Sequence, residues 1–249
     1  MPLKIGIILQ CRFNSERLPG KSLMNFGGKS LIEHTFYNAT KSKLANECIV
    51  AIPNTPENKT LAEHLEDKSI PYFAGSEENL VSRHLSVAES KAFDVIVRIP
   101  ADNPLPHQSE VDRIIAHHIS NNIEGFSSNL SEVFNSGYPD GIGAEVFSTH
   151  LLRKIDQILA TAQELEHVHL NFFDYTSQKP KSNDIQIATV TCPPSFARPD
   201  IRLDINTTQD LQYFKDMFGF FEGSNFDIID IIKWHDSIDL SRYQIEIGR

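Results

Sequence analysis

Three short runs rich in β-branched residues, Lys4–Leu9, Cys48–Ile52 and Asp94–Ile99, alternate with amphipathic helical patterns, and that rhythm constrains the fold of this chain more than any other feature. Near-continuous apolar runs read as strands buried on both faces, the condition of parallel strands covered by helices. Between the first two runs, Ser30-Leu31-Ile32-Glu33 is a capping box, and Leu31, Ile32, Thr35, Phe36 and Ala39 continue one helical face behind it. Further helical faces fall at Leu80, Val81, Leu85 and Ala88, at Val111, Ile114, Ile115 and His118, and at Leu151, Leu152, Ile155 and Leu159. Late strands are expected at 144–147, 185–190 and 201–204. The expected fold is α/β, a mostly parallel sheet with helices on both faces, formed by residues 1–249 as one domain. The segment from about 127 to 199 interrupts the rhythm, and is expected to form a small inserted lobe that covers an acceptor or pairs with a second subunit in a homodimer.

Lys and Arg total 23 against 33 Asp and Glu, a formal charge of -10, which repels DNA, RNA and acidic membrane surfaces. Neither a nucleic acid nor a membrane is expected as partner. Any small anion must instead be met by cations gathered locally. The first residues lack the pattern of a cleavable signal and no apolar run is long enough to span a bilayer, so a cytoplasmic location is expected. Cys11, Cys48 and Cys192 lie far apart with no metal-ligand spacing, and are read as reduced thiols.

One cation cluster follows the first strand, in Gln10-Cys11-Arg12-Phe13-Asn14-Ser15-Glu16-Arg17-Leu18-Pro19-Gly20-Lys21. Ligands of open α/β sheets bind outside the carboxyl ends of the strands, where this loop begins. Guanidinium forks, a lysine point charge, a hydroxyl and backbone N–H groups together suit a triphosphate. The spacing matches neither a Walker loop nor a G-x-G-x-x-G fingerprint, so a solvated basic loop is the plain alternative.

Arg12-x-x-Ser15-x-Arg17-Leu18-Pro19-Gly20-Lys21, followed by Gly27-Gly28-Lys29-Ser30-Leu31-Ile32, resembles the signature of cytidylyltransferases that activate acidic sugars, such as CMP-3-deoxy-manno-octulosonate and CMP-sialate synthetases. The spore coat polysaccharide cytidylyltransferase-like branch is the nearest in pattern. Phe73-Ala74-Gly75-Ser76-Glu77-Glu78-Asn79, Arg98-Ile99-Pro100-Ala101-Asp102-Asn103-Pro104-Leu105, Tyr138-Pro139-Asp140-Gly141, Glu145-Val146-Phe147, Glu166-His167 and Arg202-Leu203-Asp204-Ile205-Asn206-Thr207 follow in the family's order.

The resemblance implies a Rossmann-like, nucleotide-diphospho-sugar transferase-like fold. It also implies transfer of CMP from CTP to an acidic sugar or a phosphorylated or phosphonate small molecule, with magnesium as cofactor and pyrophosphate as second product. By the same resemblance Arg12, Lys21 and Asp102 are catalytic, and Gln10, Ser15 and Arg17 join them in holding the nucleotide. Ser76, Asn79 and Arg83 would lie beside the nucleoside, or else form an N-capped helix with a surface arginine. Asp102 and Asp204 would coordinate magnesium, against the alternatives of a turn residue and a helix N-cap. Asp140, Glu145, Glu166, His167, Arg198 and Arg202 are acceptor-site candidates, the two arginines as a clamp for a carboxylate or phosphate. Three departures from the family pattern stand out: Cys11 for alanine, Pro100 for threonine, and Asn206-Thr207-Thr208-Gln209 for Asp-Thr-Pro-Glu. Rival readings are guanylyl or uridylyl transfer to a sugar phosphate, and a glycosyltransferase of similar fold, for which Asp102-Asn103 is not the expected Asp-x-Asp.

Overall fold

A computed structural model describes residues 2–130, 133–159 and 161–243. Strands β1 (Ile5–Gln10), β2 (Glu47–Pro53), β3 (Tyr72–Gly75), β4 (Val95–Pro100), β5 (Gly125–Ser128), β6 (Glu145–Ser148) and β7 (Gln186–Ala188) form one sheet in the order β7-β5-β6-β4-β1-β2-β3. Only β6 runs against its two neighbours. The helices are α1 (Leu31–Ala39), α2 (Lys59–Asp67), α3 (Leu80–Lys91), α4 (Gln108–Ser120), α5 (Thr149–Asp156), α6 (Ala162–Glu166), α7 (Thr208–Phe220) and α8 (Ile228–Ser237). None among the described residues is long and apolar enough to cross a membrane.

The strand pleat divides the core. Ile7 and Leu9 pack with Ile32, Leu61 and Ile114 on one face, whereas Ile8 packs with Ile96, Leu85, Phe147 and Leu152 on the other. Each fully buried aliphatic side chain of this kind contributes about 1.5–3 kcal/mol. A third cluster joins Leu18, Phe26 and Tyr138 to Phe214, Met217, Ile231 and Trp234 of α7 and α8. Capping boxes start α1 (Ser30 with Glu33), α6 (Thr161 with Glu164), α7 (Thr207 with Asp210) and α8 (Asp227 with Asp230).

Within the 127–199 segment, β6 and β7 belong to the central sheet, and β6 separates β4 from β5. The remainder holds α6, packed on α3, and the short antiparallel ladder Phe173–Asp174 with Lys179–Pro180. The strand expected at 201–204 is reduced to one bridge between Asp140 and Arg202. There Asp140 N–H donates to Ile201 O (2.9 Å) and Leu203 N–H donates to Asp140 O (3.0 Å). Gly141 makes this approach feasible: its φ is +90°, and a Cβ would stand 2.5 Å from the Leu203 carbonyl oxygen.

The chain leaves β1 for β2 on one side and reaches β4 on the other, so the two carboxyl ends diverge at a topological switch point. Gln10 and Pro100 are partners in that register.

Two buried histidines give the fold a pH signature. His84 donates from Nδ1 to Leu80 O (2.8 Å), and burial together with the charge of Arg98 lowers its pKa to about 3. His118 shares a 2.8 Å hydrogen bond with Ser127 Oγ, and burial lowers its pKa to about 4. Both rings stay neutral in the native protein but titrate near about 6.5 once unfolded. Because the folded values are depressed, the stability they contribute is present above that value and erodes as pH falls toward the folded ones. At pH 5 the loss should be roughly 2 kcal/mol per ring. The urea midpoint should therefore be lower at pH 5 than at pH 7.5, and His118→Gln should flatten the dependence; equal midpoints at the two pH values would contradict neutral burial.

Candidate active site

The loop that leaves β1 turns back on itself before α1. Cys11 N–H extends the sheet by donating to Ala51 O (3.1 Å), and Phe13 N–H donates to the buried Asn58 Oδ1 (2.8 Å). Gly20, at φ +71°, takes the left-handed conformation that closes the loop, donating to Phe13 O (3.0 Å). A single turn of 3₁₀ helix follows at Lys21–Leu23. That turn aims Lys21 across the end of β4.

The Lys21 ammonium sits among three oxygens. It donates to Asp102 Oδ2 (2.9 Å), Ile205 O (2.8 Å) and Asn206 Oδ1 (2.9 Å), with only 13% of its side chain exposed. Arg17 NH2 donates to the same Asn206 oxygen (2.7 Å). Lysine and arginine only donate, so the Asn206 amide oxygen must face them, and its Nδ2 donates on the other side to Asp204 Oδ2. Ile205 N–H donates to Asp102 O (2.9 Å), which fixes the 204–206 segment against the end of β4.

Around this cradle opens a cleft of about 280 Å³ at the switch point, lined by Gln10, Arg12, Ser15, Arg17, Lys21, Arg83, Asp102, Glu166, His167 and Asn206, among others. Arg83 is only 4% exposed; its NH1 donates to Ser76 O (2.9 Å), its Nε has no partner, and burial pulls its pKa down to about 10. Arg12 is half-exposed and loosely paired with Glu166 Oε1 at 4.0 Å. The loop cations, Arg83, Asp102 and the Glu166-His167 pair thus line one cleft.

A family model described as Cytidylyltransferase matches residues 6–227. The chain belongs to the cytidylyltransferase family. Spore coat polysaccharide biosynthesis protein SpsF of Bacillus subtilis is 29% identical over 219 residues, which cover 86% of each chain. The structure of a cytidylyltransferase from Leptospira borgpetersenii is similar over the whole of both chains, with a TM-score of 0.84 at 25% identity. A CMP:2-keto-3-deoxy-manno-octonic acid synthetase, in a structure complexed with CTP, shares the fold at a TM-score of 0.64 and 15% identity, over 87% of this chain and 99% of that one. The protein is a nucleotidyltransferase.

Several residues expected in the site of this cytidylyltransferase stand elsewhere. Glu145 is 1% exposed and paired with Arg98, its direct partner in the antiparallel register, so it offers no contact to an acceptor. Arg198 is spent outside the cleft: it donates to Asp200 (2.8 and 2.6 Å) and to both carboxylate oxygens of Asp236 on α8 (2.8 and 2.9 Å), which raise its pKa. It forms no clamp with Arg202. Asn79 caps α3 by accepting from Ser82 N–H (2.8 Å), and Ser76 Oγ accepts from Asn79 N–H (3.1 Å); Glu77 and Leu80 line the cleft in their stead. Asp140 serves the 201–203 bridge through its backbone. Asp204 lies behind Asn206, mostly buried, with both oxygens receiving Arg202 NH2 at 2.9 Å. Burial raises its pKa against the pull of Arg202, and Asp102 adds to the rise.

The donor set at the cradle fits magnesium. Lys21 engages Asp102 through Oδ2, which leaves the other carboxylate oxygen as a hard donor of the kind that magnesium selects. No cluster of three or more His, Cys, Asp or Glu that could hold a metal ion occurs among the described residues. Sequence reasoning missed Asn206 here. Replacing it by alanine would leave Lys21 and Arg17 each short of an acceptor and Asp204 short of a donor, so Asn206→Ala should destabilise the protein by about 1–3 kcal/mol. Urea unfolding at pH 7.5 measures this, and an unchanged midpoint would mean that the cradle is not formed in solution.

Proposed function

We propose that this cytidylyltransferase transfers CMP from CTP to an acidic sugar or a phosphorylated or phosphonate small molecule, releasing pyrophosphate. The Lys21 cradle at the mouth of the cation-bearing loop carries this reading. An acceptor oxygen attacks the α-phosphorus in line, a new P–O bond forms, and the bond to the oxygen bridging the α- and β-phosphates breaks. Negative charge builds on the leaving pyrophosphate. Arg12 and Arg17, with the Ser15 hydroxyl, meet that charge by hydrogen bonding, and Lys21, whose three N–H groups go to Asp102, Ile205 and Asn206, adds a fixed positive charge beside it. No protein nucleophile is required, since positioning and electrostatics carry the chemistry.

Asp102 is the side chain of this chain that would hold magnesium, because Lys21 and Arg17 take both lone pairs of the Asn206 amide oxygen; the ion would supply positive charge to the substrate phosphates and lower the pKa of an acceptor hydroxyl. Arg202 keeps Asp204 in place behind Asn206. On the acceptor side, Glu166 and His167 line the cleft opposite the loop, and the half-exposed Arg12 is free to turn toward an anionic group. The name of SpsF supports a sugar destined for a coat polysaccharide.

Nucleotide preference tests the reading most directly. With magnesium present, CTP should raise the melting temperature more than GTP or UTP at equal concentration, because a ligand of the native state shifts unfolding by mass action. A larger shift with GTP would defeat the cytidylyl assignment and leave the transferase class standing.

Lys21→Ala should lower kcat for pyrophosphate release by ~100-fold or more, the loss expected for one preorganised charge beside a developing anion. Asp102→Asn, which keeps size and turn-forming ability, should lose most activity at ordinary magnesium and regain part of it in excess manganese. Turnover near wild type in either variant, with circular dichroism unchanged, would remove the cradle from the mechanism.

A further inference from the structure

Beneath the cleft, three polar side chains cross three neighbouring strands on one face of the sheet. Arg98 on β4 stands opposite Glu145 on β6 and opposite Ile8 on β1, so Gln10, two residues further along β1, shares its face. Arg98 NH1 donates to Glu145, and Arg98 Nε donates to Gln10 Oε1 at 2.9 Å. Arg98 is 5% exposed. Of the three, only Gln10 lines the cleft.

This arrangement settles which way the Gln10 amide is turned. A guanidinium has no acceptor, so the Gln10 atom that meets it must be the oxygen. The two Nε2 N–H groups are then left without a partner among the described residues, at the wall of the cleft. The same cleft carries Pro53, Leu80 and Pro100, flat apolar surface of the kind that receives a base. The phosphates are met by charged groups. A neutral donor pair beside apolar walls suits the edge of a neutral ring.

We propose that Gln10 selects the nucleotide's base by donating to an acceptor on its edge, O2 or N3 of cytosine, and that Arg98 is the positioning residue that keeps Gln10 turned that way. This rests on the reading of the cleft as a nucleotidyl-transfer site. A bare core ion pair would need only Arg98 and Glu145, and a buried pair of that kind adds little net stability. The third contact, to Gln10, is the one with a use at the surface.

Calorimetric titration of the full chain with CTP, CMP and pyrophosphate, magnesium present, separates the possibilities. Gln10→Glu keeps the oxygen that Arg98 holds and replaces the donors by an acceptor. It should weaken CTP and CMP by about 10-fold or more, since a site built to donate is left facing an unpaired acceptor, while pyrophosphate binding and melting temperature hold. Arg98→Lys keeps the charge beside Glu145 but loses the planar Nε–H. It should raise KM for CTP several-fold with kcat little changed, and add nothing further in the Gln10→Glu background, the mark of two residues acting through one contact. If Arg98→Lys does not fold, Arg98→Gln in a Glu145→Gln background gives a neutral pair for the same measurement. The proposal is overturned if Gln10→Glu binds CTP as the wild type does, if pyrophosphate weakens equally, or if loosening Arg98 leaves KM for CTP unchanged while Gln10→Glu raises it. The wild type's order of preference between CTP and GTP tests the cytidylyl reading separately.

Discussion

The ammonium of Lys21 ties together three parts of the chain that are distant in sequence. Asp102 follows β4, Ile205 and Asn206 precede α7, and Lys21 ends the loop from β1. Remove the cation and a carboxylate, a carbonyl and an amide oxygen face one another across a space with little solvent. The gross attraction of the Lys21–Asp102 pair, about 4 kcal/mol for charges at 4 Å in an effective dielectric of 20, is largely offset by desolvation of both groups. Its main effect is therefore geometric. The cradle sets where the loop ends, where α7 begins, and where any second cation must sit.

The rest of the cleft follows from holding cations in an acidic protein. Arg12, Arg17, Lys21 and Arg83 face Glu16, Glu77, Asp102 and Glu166 across the same lining, so the formal charges of these groups balance. A strongly positive trap would hold any polyphosphate. A balanced lining favours a triphosphate that arrives with part of its charge already neutralised by a divalent cation, which agrees with the oxygen donors at the cradle. Arg83 is the exception, deeply buried with its Nε unmatched, a desolvated charge at the cleft wall.

What could be read in the sequence was whatever depends on neighbours along the chain. Strands β1, β2 and β4 are continuous apolar runs, and α1 announces itself by Ser30 and Glu33. Strand β5, Gly125-Phe126-Ser127-Ser128, has a single large apolar residue and owes its place to the backbones beside it. The alternation of Ile201, Leu203 and Ile205 reads as a strand, yet that segment finds only a bridge to Asp140. The same alternation puts Arg202, Asp204 and Asn206 on the side opposite Ile201, Leu203 and Ile205, and so contained the signal for Asn206. Asp204 drew attention because it is a carboxylate, although an arginine two residues away on the same side of an extended segment is well placed to claim it. Arg198 has Asp200 at the same spacing, although its second partner, Asp236, is brought to it only by the fold. Glu145 could not have been excluded in this way, because its partner Arg98 is distant in sequence.

The Arg98–Glu145 pair also bears on how the sheet finds its register. A buried ion pair is weak as a source of stability but costly to break, because either partner left alone is an uncompensated charge. If β6 slipped by one residue against β4, Val146 would stand opposite Arg98 and Glu145 would turn toward the face occupied by Ile7, Leu9, Val97 and Ile99. No such slip can keep the pair. The antiparallel β6, the one strand that departs from an otherwise parallel sheet, is thus pinned by the contact that reaches on to Gln10. The register of β6 beside the cleft and the orientation of a side chain in its wall share one arginine, and a change that shifts Arg98 bears on both.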